Sequence, residues 1–355
     1  MSGDSKPSRA RATDPAAARG HGQPEGMADA DYLLDILSGK YRAQALSTLA
    51  ALGIPDMLAE AECGAEQLAE RLGGESDGLK RLLDFTVGMG FLVCGQNGKY
   101  GLGQLGKQLQ TGALGRLAAF MGSPEQWSPW SNLRQSLRSK DGRSPFELTF
   151  GEDLYSYLSH APESAQEYDL AIDAFTQLEA RALCGAFDFT GKQCLVDVGG
   201  GRGMLLREVL GQHPELAGVL VDRPDVVERA GASLPAELMQ RIALHGGDFF
   251  NALPQGHDLY CIKHVLHNWD DERAANLLKA CAEAMQPGGH VLVIESILTP
   301  DHRLDLARVM DFEMSVLTKG RARRKPEFRA LFRRAGLKLE SVQAIGSSWL
   351  LVGSR

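Results

Sequence analysis

Residues 195–203 constrain the fold of this chain more than any other segment. Three apolar residues around Asp197 predict a buried strand, and glycines fill most of positions 199–203 directly after it. Apolar residues then return at helical spacing over 204–210. Because glycine lets a ligand lie directly on backbone N–H groups, a strand, a glycine turn and a helix are typical of a nucleotide-binding α/β domain. A structural turn also uses glycines, so the rest of a cofactor site has to be found downstream.

Strand-like and helical runs alternate along the chain from residue 193 onward. The β-prone runs are 194–198, 217–221, 242–245, 259–263 and 290–295. This alternation predicts a parallel sheet with helices on both faces. Two further β-prone runs, 337–345 and 349–352, predict a terminal antiparallel hairpin at the edge of the sheet. The fold class is therefore α/β and Rossmann-like.

Composition excludes several classes of protein. The chain has 355 residues, enough for two domains, and its net charge of −7 argues against a nucleic acid or an anionic membrane as the main partner. No apolar run is long enough to span a membrane, and the N-terminus has no apolar signal segment. The six cysteines are scattered without a CxxC pair. This predicts reduced thiols in a cytoplasmic protein, with no disulfide frame and no zinc site.

The N-terminal region predicts a tail followed by apolar helices. Residues 1–27 are rich in Ala, Gly, Pro, Ser and Arg without apolar periodicity, which predicts a flexible tail. From Asp29 apolar residues recur at i, i+3 and i+4, which predicts two long helices punctuated by Gly53 and Pro55. Helices this apolar need a partner, and we favour a second copy of the chain over packing within their own domain.

Residues 63–110 predict a winged-helix arrangement. Two short helical runs precede Asn97-Gly98, which lies between two β-prone runs and is a strong hairpin signal. A DNA-binding role requires a basic second helix, whereas residues 75–81 are mixed in charge and the hairpin carries one lysine. A structural or dimerising role is therefore favoured over DNA binding.

Four parts are expected along the chain. They are a tail at 1–27, a helical winged-helix domain at 28–115, a helical connection at 116–180 and a cofactor-binding domain at 181–355. The connection is rich in aromatic residues. Most buried aromatics belong to cores, but the density of these side chains just before the cofactor domain makes them candidates for the walls of a flat apolar substrate pocket.

Acidic residues after the second and third strands predict an adenosine site. Asp222 ends the second strand, 25 residues after Asp197, where a carboxylate can accept hydrogen bonds from both ribose hydroxyls. Its alternative role is a helix N-cap. Asp248 and Phe249 follow the third strand, where the acid can hold an adenine amino group and the ring can pack on the base.

The glycine spacing disfavours a dinucleotide. A dinucleotide-binding turn has its third glycine where Met204 stands, whereas the turn here offers Gly199, Gly201 and Gly203. A ligand without a pyrophosphate fits better, with NAD as the alternative. S-adenosylmethionine is such a ligand, and Asp197 or a nearby carbonyl can receive its ammonium group.

Several segments together match a known family. They are 195–201, 222–224, 247–250, 287–289, 294–298 and, most specific of all, KHVLHNWDD at 263–271. The sequence resembles the S-adenosylmethionine-dependent O-methyltransferases of the caffeic-acid and plant-type small-molecule class, including bacterial relatives that act on aromatic natural products. The resemblance implies a class I methyltransferase sheet, S-adenosylmethionine as cofactor and an aromatic acceptor. It also implies a homodimer, whose winged-helix halves help to close the partner's substrate pocket.

The resemblance assigns base catalysis to His267. Methyl transfer from a sulfonium requires a base for the acceptor's proton, because a phenol titrates only near pH ~10. The family's base is the histidine of a His-Asp/Asn-Trp triplet, here His267-Asn268-Trp269, although His264 is a competitor. Glu295, at the end of the fifth strand, matches the glutamate that orients this histidine.

A second glutamate of the plant members is missing here. Ala322 stands at its position in the segment 320–324, which leaves Glu295 as the expected sole orienting carboxylate. Two extra arginines in the segment either attract an anionic acceptor or form a solvated basic turn, and we favour the turn.

The resemblance also implies which residues contact the cofactor and which line the acceptor pocket. Lys263 matches a position that contacts the cofactor, and Thr176 matches a hydroxyl near the cofactor's carboxylate. Asn268, Asp311 and Met314 match the acceptor pocket. No pair of acids with a nearby Asn suggests the magnesium site of catechol-type enzymes, so we expect no metal.

Two alternative functions remain. Some relatives on the same fold carry out cofactor-dependent decarboxylation or hydroxylation, and the missing glutamate leaves room for this. A ligand-sensing winged-helix regulator that binds DNA is the alternative from another class.

Overall fold

A computed structural model describes Pro24, residues 26–301 and residues 304–355. Most of the predicted flexible tail lies outside the described residues. The chain divides into two compact units, residues 1–42 and 43–355, and helix α1 (Asp29–Ala51) runs across the division. In the first unit, α1 leaves four large apolar side chains more than half exposed: Leu33, Leu34, Ile36 and Leu37. Among the described residues, no helix is long and apolar enough to cross a membrane.

The second unit opens with the predicted helix–helix–hairpin arrangement. Its elements are α2 (Ile54–Glu60), α3 (Ala65–Leu72), α4 (Ser76–Gly88), β1 (Leu92–Cys94) and β2 (Tyr100–Leu102). The two strands pair antiparallel, and Gly98 in the turn between them has a left-handed φ of 71°. Tyr100 is buried and donates its hydroxyl to Asp84 at 2.6 Å, which ties the hairpin to α4.

The second of the two long apolar helices predicted here is short. Gly53 takes a left-handed φ of 66° and Pro55 lies in the first turn of α2, which has only seven residues. Leu49, Ile54 and Leu58 are buried in the core of their own unit. This part of the apolar pattern therefore packs within the chain, whereas the exposed leucines of α1 lie earlier in the sequence.

Six helices and two short 3₁₀ turns connect the hairpin to the sheet. The helices are α5 (Gly115–Met121), α6 (Pro124–Trp127), α7 (Leu133–Arg138), α8 (Pro145–Phe150), α9 (Leu154–His160) and α10 (Pro162–Ala186). Gly106–Leu109 and Ser128–Asn132 form the 3₁₀ turns. Phe146, Phe150 and Tyr157 stack on one another in a small core, so part of the aromatic content is structural.

A seven-stranded sheet forms the centre of the remaining chain. Its strands are β3 (Cys194–Val198), β4 (Ala217–Asp222), β5 (Ile242–Gly246), β6 (Leu259–Lys263), β7 (His290–Glu295), β10 (Lys338–Ile345) and β11 (Ser348–Ser354). A separate parallel pair consists of β8 (Ile297–Leu298) and β9 (Arg323–Arg324). The helices of this part are α11 (Met204–Gln212), α12 (Pro224–Ser233), α13 (Ala236–Met239), α14 (Asp271–Ala284), α15 (Leu306–Leu317) and α16 (Lys325–Arg334).

The sheet has the spatial order β10-β11-β7-β6-β3-β4-β5. Strands β3 to β7 are parallel, while β11 runs antiparallel to β7 and carries β10 as the edge strand. The predicted parallel sheet and its terminal edge hairpin are both confirmed. The central strands are buried on both faces because apolar side chains from one face pack under α14 and α16, and those of the other pack under α10 and α11. The five parallel strands end at one edge, where ligands of such sheets bind.

Candidate active site

The glycine turn after β3 provides an open backbone surface. Gly199, Gly201 and Gly203 all have left-handed φ values, of 73°, 56° and 80°. A Cβ atom on Gly199 would approach a methyl carbon of Val265 to 2.7 Å, whereas a Cβ atom on Gly201 would meet nothing within 4 Å. Gly199 is therefore required by packing, and the backbone at Gly201 faces open space where a ligand can lie.

Asp222 at the end of β4 is fixed by this turn. Its Oδ2 accepts the N–H of Gly201 at 2.9 Å and its Oδ1 accepts the N–H of Arg223 at 2.8 Å. Burial raises the pKa of Asp222, and the two backbone donors oppose that rise. Each carboxylate oxygen keeps a further lone pair, so the group can still accept the two hydroxyls of a ribose.

Asp197 is a buried carboxylate with an unused oxygen. Its side chain is 1% exposed, and Oδ2 has no hydrogen-bond partner in the part of the chain that the structure describes. Burial raises the pKa of Asp197 to about 7, against the opposing charge of Lys263. A cationic ligand group beside Asp197 would relieve this cost of burial. The residues present thus fit a nucleoside with an ammonium group.

The segment after β5 lies beside Asp222. The N–H of Gly247 donates to the backbone carbonyl of Asp222 at 2.9 Å. Asp248 is exposed and its Oδ1 accepts the N–H of Phe250 at 2.9 Å, which closes a local turn. Phe249 is half-buried and contacts the rings of Phe250 and Trp269. An acid and an aromatic ring therefore lie at the edge of the sheet next to the ribose position, as an adenine base requires.

His267 lies in a 3₁₀ turn, Leu266–Asn268, that follows β6. Glu295 at the end of β7 is fully buried and holds this residue twice, since Oε2 lies 3.0 Å from Nδ1 of His267 and Oε1 accepts its backbone N–H at 3.1 Å. Burial opposes ionisation of Glu295, but the two histidines beside it lower its pKa well below the usual range. Nε2 of His267 has no hydrogen-bond partner among the described residues, so it can accept a proton.

His264, the competitor for the same role, is engaged on both ring nitrogens. Nε2 lies 2.7 Å from Oε1 of Glu179 on α10, and Nδ1 lies 3.6 Å from Oε2 of Glu295. Burial lowers the pKa of His264, but Glu179 outweighs this and raises it to about 9. His264 therefore carries a proton at neutral pH and is a poor base. Glu179 was missed in the sequence, where its one signal is an acid placed between apolar residues of a helix.

The other two positions assigned to the cofactor have protein partners. Nζ of Lys263 lies 3.3 Å from Oε2 of Glu179, and the lysine side chain is 10% exposed. The hydroxyl of Thr176 donates to the carbonyl of Ile172 at 2.8 Å within α10. Lys263 thus belongs to the ion cluster around His264, and Thr176 keeps only its acceptor lone pairs for a ligand.

The residues assigned to the acceptor lie on two elements. Oδ1 of Asp311 on α15 accepts the N–H of Ala322 at 2.8 Å, and Sδ of Met314 lies 3.8 Å from the hydroxyl of Thr318. Asn268 donates its amide to the carbonyl of His264 at 3.4 Å. Its Oδ1 is buried without a partner among the described residues, which leaves an acceptor available for a ligand hydroxyl.

Arg323, in the arginine-rich segment, is bonded to the turn that holds His267. Arg323 is fully buried and donates to the carbonyl of Leu266 at 2.7 Å, the carbonyl of Trp269 at 2.6 Å and the carboxylate of Asp271 at 2.8 Å. The backbone N–H of Arg321 donates to the carbonyl of His267 at 2.8 Å. The guanidinium of Arg323 thus meets three acceptors around the turn that holds His267, whereas Arg321 and Arg324 are exposed.

His264, His267 and Glu295 offer ligand atoms within 4.8 Å of one another. The two Nδ1 atoms face the same carboxylate oxygen of Glu295, as in a hydrogen-bonded cluster. Nothing here tests the expectation of no metal, which stays a prediction.

This site lies at the carboxyl edge of a parallel α/β sheet and combines a nucleoside cradle with a histidine–glutamate pair. Two family models match the chain: the O-methyltransferase domain over residues 130–338 and the O-methyltransferase dimerisation domain over residues 34–112. The protein is a methyltransferase of the class I fold with S-adenosylmethionine as its cofactor. It belongs to the O-methyltransferase family.

Individual relatives cover nearly the same length. The chain is 35% identical to a 3-amino-4-hydroxybenzoate 4-O-methyltransferase of Streptomyces cremeus, over 88% of this chain and 86% of the relative. It is 32% identical to a phenazine O-methyltransferase of Lysobacter antibioticus, over 91% and 95%. A solved O-methyltransferase from neocarzinostatin biosynthesis, in complex with S-adenosylmethionine and 2-hydroxy-5-methyl naphthoic acid, superposes with a TM-score of 0.72 at 28% identity. That match covers 88% of this chain and 95% of the solved one.

Proposed function

We propose that this protein transfers the methyl group of S-adenosylmethionine to a hydroxyl of an aromatic small molecule, with His267 as the general base. The observation that carries the proposal is the pairing of His267 with Glu295. Glu295 is fully buried and holds Nδ1 at 3.0 Å, while Nε2 has no partner among the described residues. The relatives that act on phenazine and hydroxybenzoate compounds support an aromatic acceptor.

The cofactor is held by the residues around the glycine turn. Asp222 binds the ribose hydroxyls, and Gly199 and Gly201 let the ligand approach the backbone. Asp197 receives the ammonium group with its unpaired oxygen. Asp248 and Phe249 hold the adenine. When bound there, S-adenosylmethionine supplies an electrophilic methyl group.

Proton removal is the part that the side chains of this site contribute directly. A phenol has a pKa of about 10, so it is a weak nucleophile at neutral pH until a base takes its proton. Nε2 of His267 accepts that proton, and Glu295 stabilises the imidazolium that forms through Nδ1. Asn268, Asp311 and Met314 would orient the acceptor for attack on the methyl group that the cofactor supplies.

Dimerisation and compartment are proposed on separate grounds. The family's dimerisation domain matches residues 34–112, and the leucines of α1 are exposed, which supports a homodimer. All six cysteines are free thiols, which supports a reducing compartment such as the cytoplasm.

The direct test uses labelled S-adenosylmethionine with a panel of phenols and aromatic amines. Replacing His267 by Ala should lower turnover on an accepted phenol by roughly 10²- to 10⁴-fold while the cofactor still binds, because proton transfer alone is lost. The control is His290→Ala. His290 also pairs with a glutamate, Glu340 at 3.7 Å, but begins β7, whereas Glu295 ends it.

The control variant should retain its turnover. An unchanged rate in His267→Ala would mean that alignment alone suffices. Transfer of label to amines only would move the assignment to N-methylation.

A further inference from the structure

Four buried charged groups form a cluster next to His267: Glu179, Lys263, His264 and Glu295. Glu179 lies between His264 and Lys263, with carboxylate oxygens 2.7 Å and 3.3 Å from the two nitrogens. The hydroxyl of Ser348 on β11 donates to the same carboxylate. Glu295 joins the cluster from β7 and reaches both histidines. Side-chain exposure is 14% or less for these four groups and for His267.

We propose that His264 is a positioning residue with a permanent positive charge, which keeps the neighbouring His267 neutral and ready to accept a proton. The proposal rests on the proposed role of His267 as base. It adds a residue that acts on that base through its positive charge, without touching the acceptor.

The backbone at His264 has an unusual conformation. His264 has a left-handed φ of 53°, a conformation that is unfavourable for a residue with a side chain. Its N–H donates to the carbonyl of Ile294 at 2.9 Å, so β6 is bent where it ends and still pairs with β7. The ring of Phe175 packs on the imidazole at 5.7 Å between centroids. In this conformation the two ring nitrogens lie 2.7 Å and 3.6 Å from carboxylate oxygens of Glu179 and Glu295.

The charges of the cluster balance only when His264 is protonated and His267 is not. Glu179 and Glu295 carry two negative charges, and Lys263 and His264 carry two positive ones. If His264 lost its proton, the buried cluster would be left with one excess negative charge. His267 would then take up a proton to balance it, since an unpaired charge is costly in a buried site.

Other ionisable groups face the cluster through Lys263. Asp197 on β3 and Asp173 on α10 both interact with the charge of Lys263, and burial raises their pKa values to about 7 and about 6. Burial opposes ionisation of Glu179, but the charges of His264 and Lys263 outweigh this and lower its pKa to about 2. Glu179 is therefore ionised near neutral pH, and it favours the proton on His264.

Among the described residues, Glu295 is the one carboxylate paired with His267, and Ala322 stands where the plant members have a second glutamate. A single buried glutamate paired with a histidine tends to hold the proton on that histidine, which would remove the base at neutral pH. The charge of His264, which faces the same Oε2 of Glu295, partly cancels the attraction of Glu295 for a proton on His267. The rings of His264 and His267 have centroids 5.5 Å apart, a distance at which one charge shifts a neighbouring pKa by about one unit or more.

The decisive experiment measures the protonation of both histidines without using catalysis. The full-length protein is labelled with ¹⁵N-histidine, and the imidazole signals are followed by NMR from pH 5.5 to 9. The signals of His264 and His267 are identified by their loss in His264→Gln and His267→Asn. We expect His264 to remain an imidazolium from pH 6 to 8. We expect the pKa of His267 to rise by about one unit or more in His264→Gln, because a nearby positive charge is removed.

A charge-balancing second variant separates charge from structure. In His264→Gln/Glu179→Gln one positive and one negative charge are both removed, so the pKa of His267 should return towards its value in the unmodified protein. If His264→Gln does not fold, His264→Asn serves instead, since Asn tolerates a left-handed backbone. A neutral His264 at pH 7, an unmoved His267 in the single variant, or no return in the double variant would each overturn the proposal.

Kinetics then separates this proposal from the role of His267 as base. With an accepted phenol, the rise of kcat/KM with pH should move upward in His264→Gln by the same amount as the NMR pKa. Activity should then fall by up to about tenfold at the low-pH end of the profile and little at pH 9. If the pKa of His267 measured by NMR moves and the pH dependence of kcat/KM does not, His267 is not the base, although the charge proposal stands. If His267→Ala is inactive and the NMR pKa does not move, His267 remains the base and the proposal for His264 is wrong.

Discussion

Asp197 has a different environment from the other carboxylates at the edge of the sheet. Asp222 accepts two backbone N–H groups, whereas Oδ2 of Asp197 has no partner among the described residues. Burial raises the pKa of Asp197 to about 7, so a substantial fraction of the free protein carries a proton there near neutral pH. A cationic cofactor group beside it favours the charged form.

This difference predicts that cofactor binding depends on pH. Asp197 must lose its proton when it receives an ammonium group, so affinity should be full above pH 7 and fall by up to about tenfold per unit below it. Calorimetric titration with S-adenosylhomocysteine between pH 5.5 and 8 measures this. In Asp197→Asn affinity should be weaker at pH 8 and independent of pH.

The matched control is Asp173→Asn. Burial raises the pKa of Asp173 to about 6, and it pairs with Arg202 at 3.1 Å. The pH dependence should persist in this variant. A pH dependence that survives in Asp197→Asn would place the titrating group elsewhere in the site.

The individual site residues differ in how far the sequence could predict them. Asp222 and Glu295 follow apolar strands, and strand ends meet at one edge of a parallel sheet, so their proximity is predictable from spacing. Glu179 and Arg323 were not predictable in this way. Glu179 meets His264 across 85 residues and Arg323 meets Leu266 across 57, so nothing local specifies either contact.

Among the elements, the segment between α15 and α16 controls the position of the base. Gly320 lies against the turn that holds His267, and a Cβ atom there would come within 2.4 Å of the His267 carbonyl oxygen. The N–H of Arg321 and the guanidinium of Arg323 bind carbonyls of the same turn. The segment thus replaces solvent as the hydrogen-bonding partner of a turn that has few bonds of its own.

The close approach at Gly320 predicts a catalytic defect without a binding defect. Gly320→Ala must displace the backbone of His267, and a shift near 1 Å costs about 10²-fold in rate. The affinity for S-adenosylhomocysteine should be retained, because the glycine turn after β3 is a separate element. Turnover with an accepted phenol and calorimetric affinity measure the two effects.

Gly185→Ala is the control for this substitution. Gly185 lies within α10, and a Cβ atom there would meet nothing within 4 Å. Its turnover should be unchanged and its stability equal or slightly higher, since Ala is the better helix former. Equal turnover in Gly320→Ala and in the unmodified protein would show that the turn tolerates the displacement.

Element order was the most predictable level of this fold. Alternating runs placed β3 to β7 and the terminal hairpin correctly because strand periodicity and turn residues are local signals. The shortness of α2 was less obvious, since Gly53 and Pro55 interrupt an apolar pattern that continues on both sides. The burial of Arg323 was not predicted, because charge alone does not tell whether an arginine faces solvent, as Arg321 and Arg324 do, or buried carbonyls.

At the scale of the whole molecule, helix α1 carries a group of exposed apolar side chains. Leu33, Leu34, Ile36 and Leu37 are between 55% and 63% exposed, although they follow one another closely in a single helix. Water-exposed apolar side chains in such a group are typical of association surfaces. The family's dimerisation domain begins at residue 34, which places most of this surface inside it.

We therefore predict that the protein is a dimer that depends on α1. Replacing Leu33 and Leu37 by Asp should yield a monomer, because each leucine buried on association contributes roughly 1.5–3 kcal/mol and two together weaken the dimer by on the order of 10²-fold or more. Sedimentation velocity over a range of protein concentrations measures the change. The control is Lys40→Glu, which changes the net charge by the same two units on the same helix without removing apolar area. A dimer that resists the leucine substitutions, or one that the Lys40 substitution dissociates equally, would mean that α1 does not supply the apolar contact.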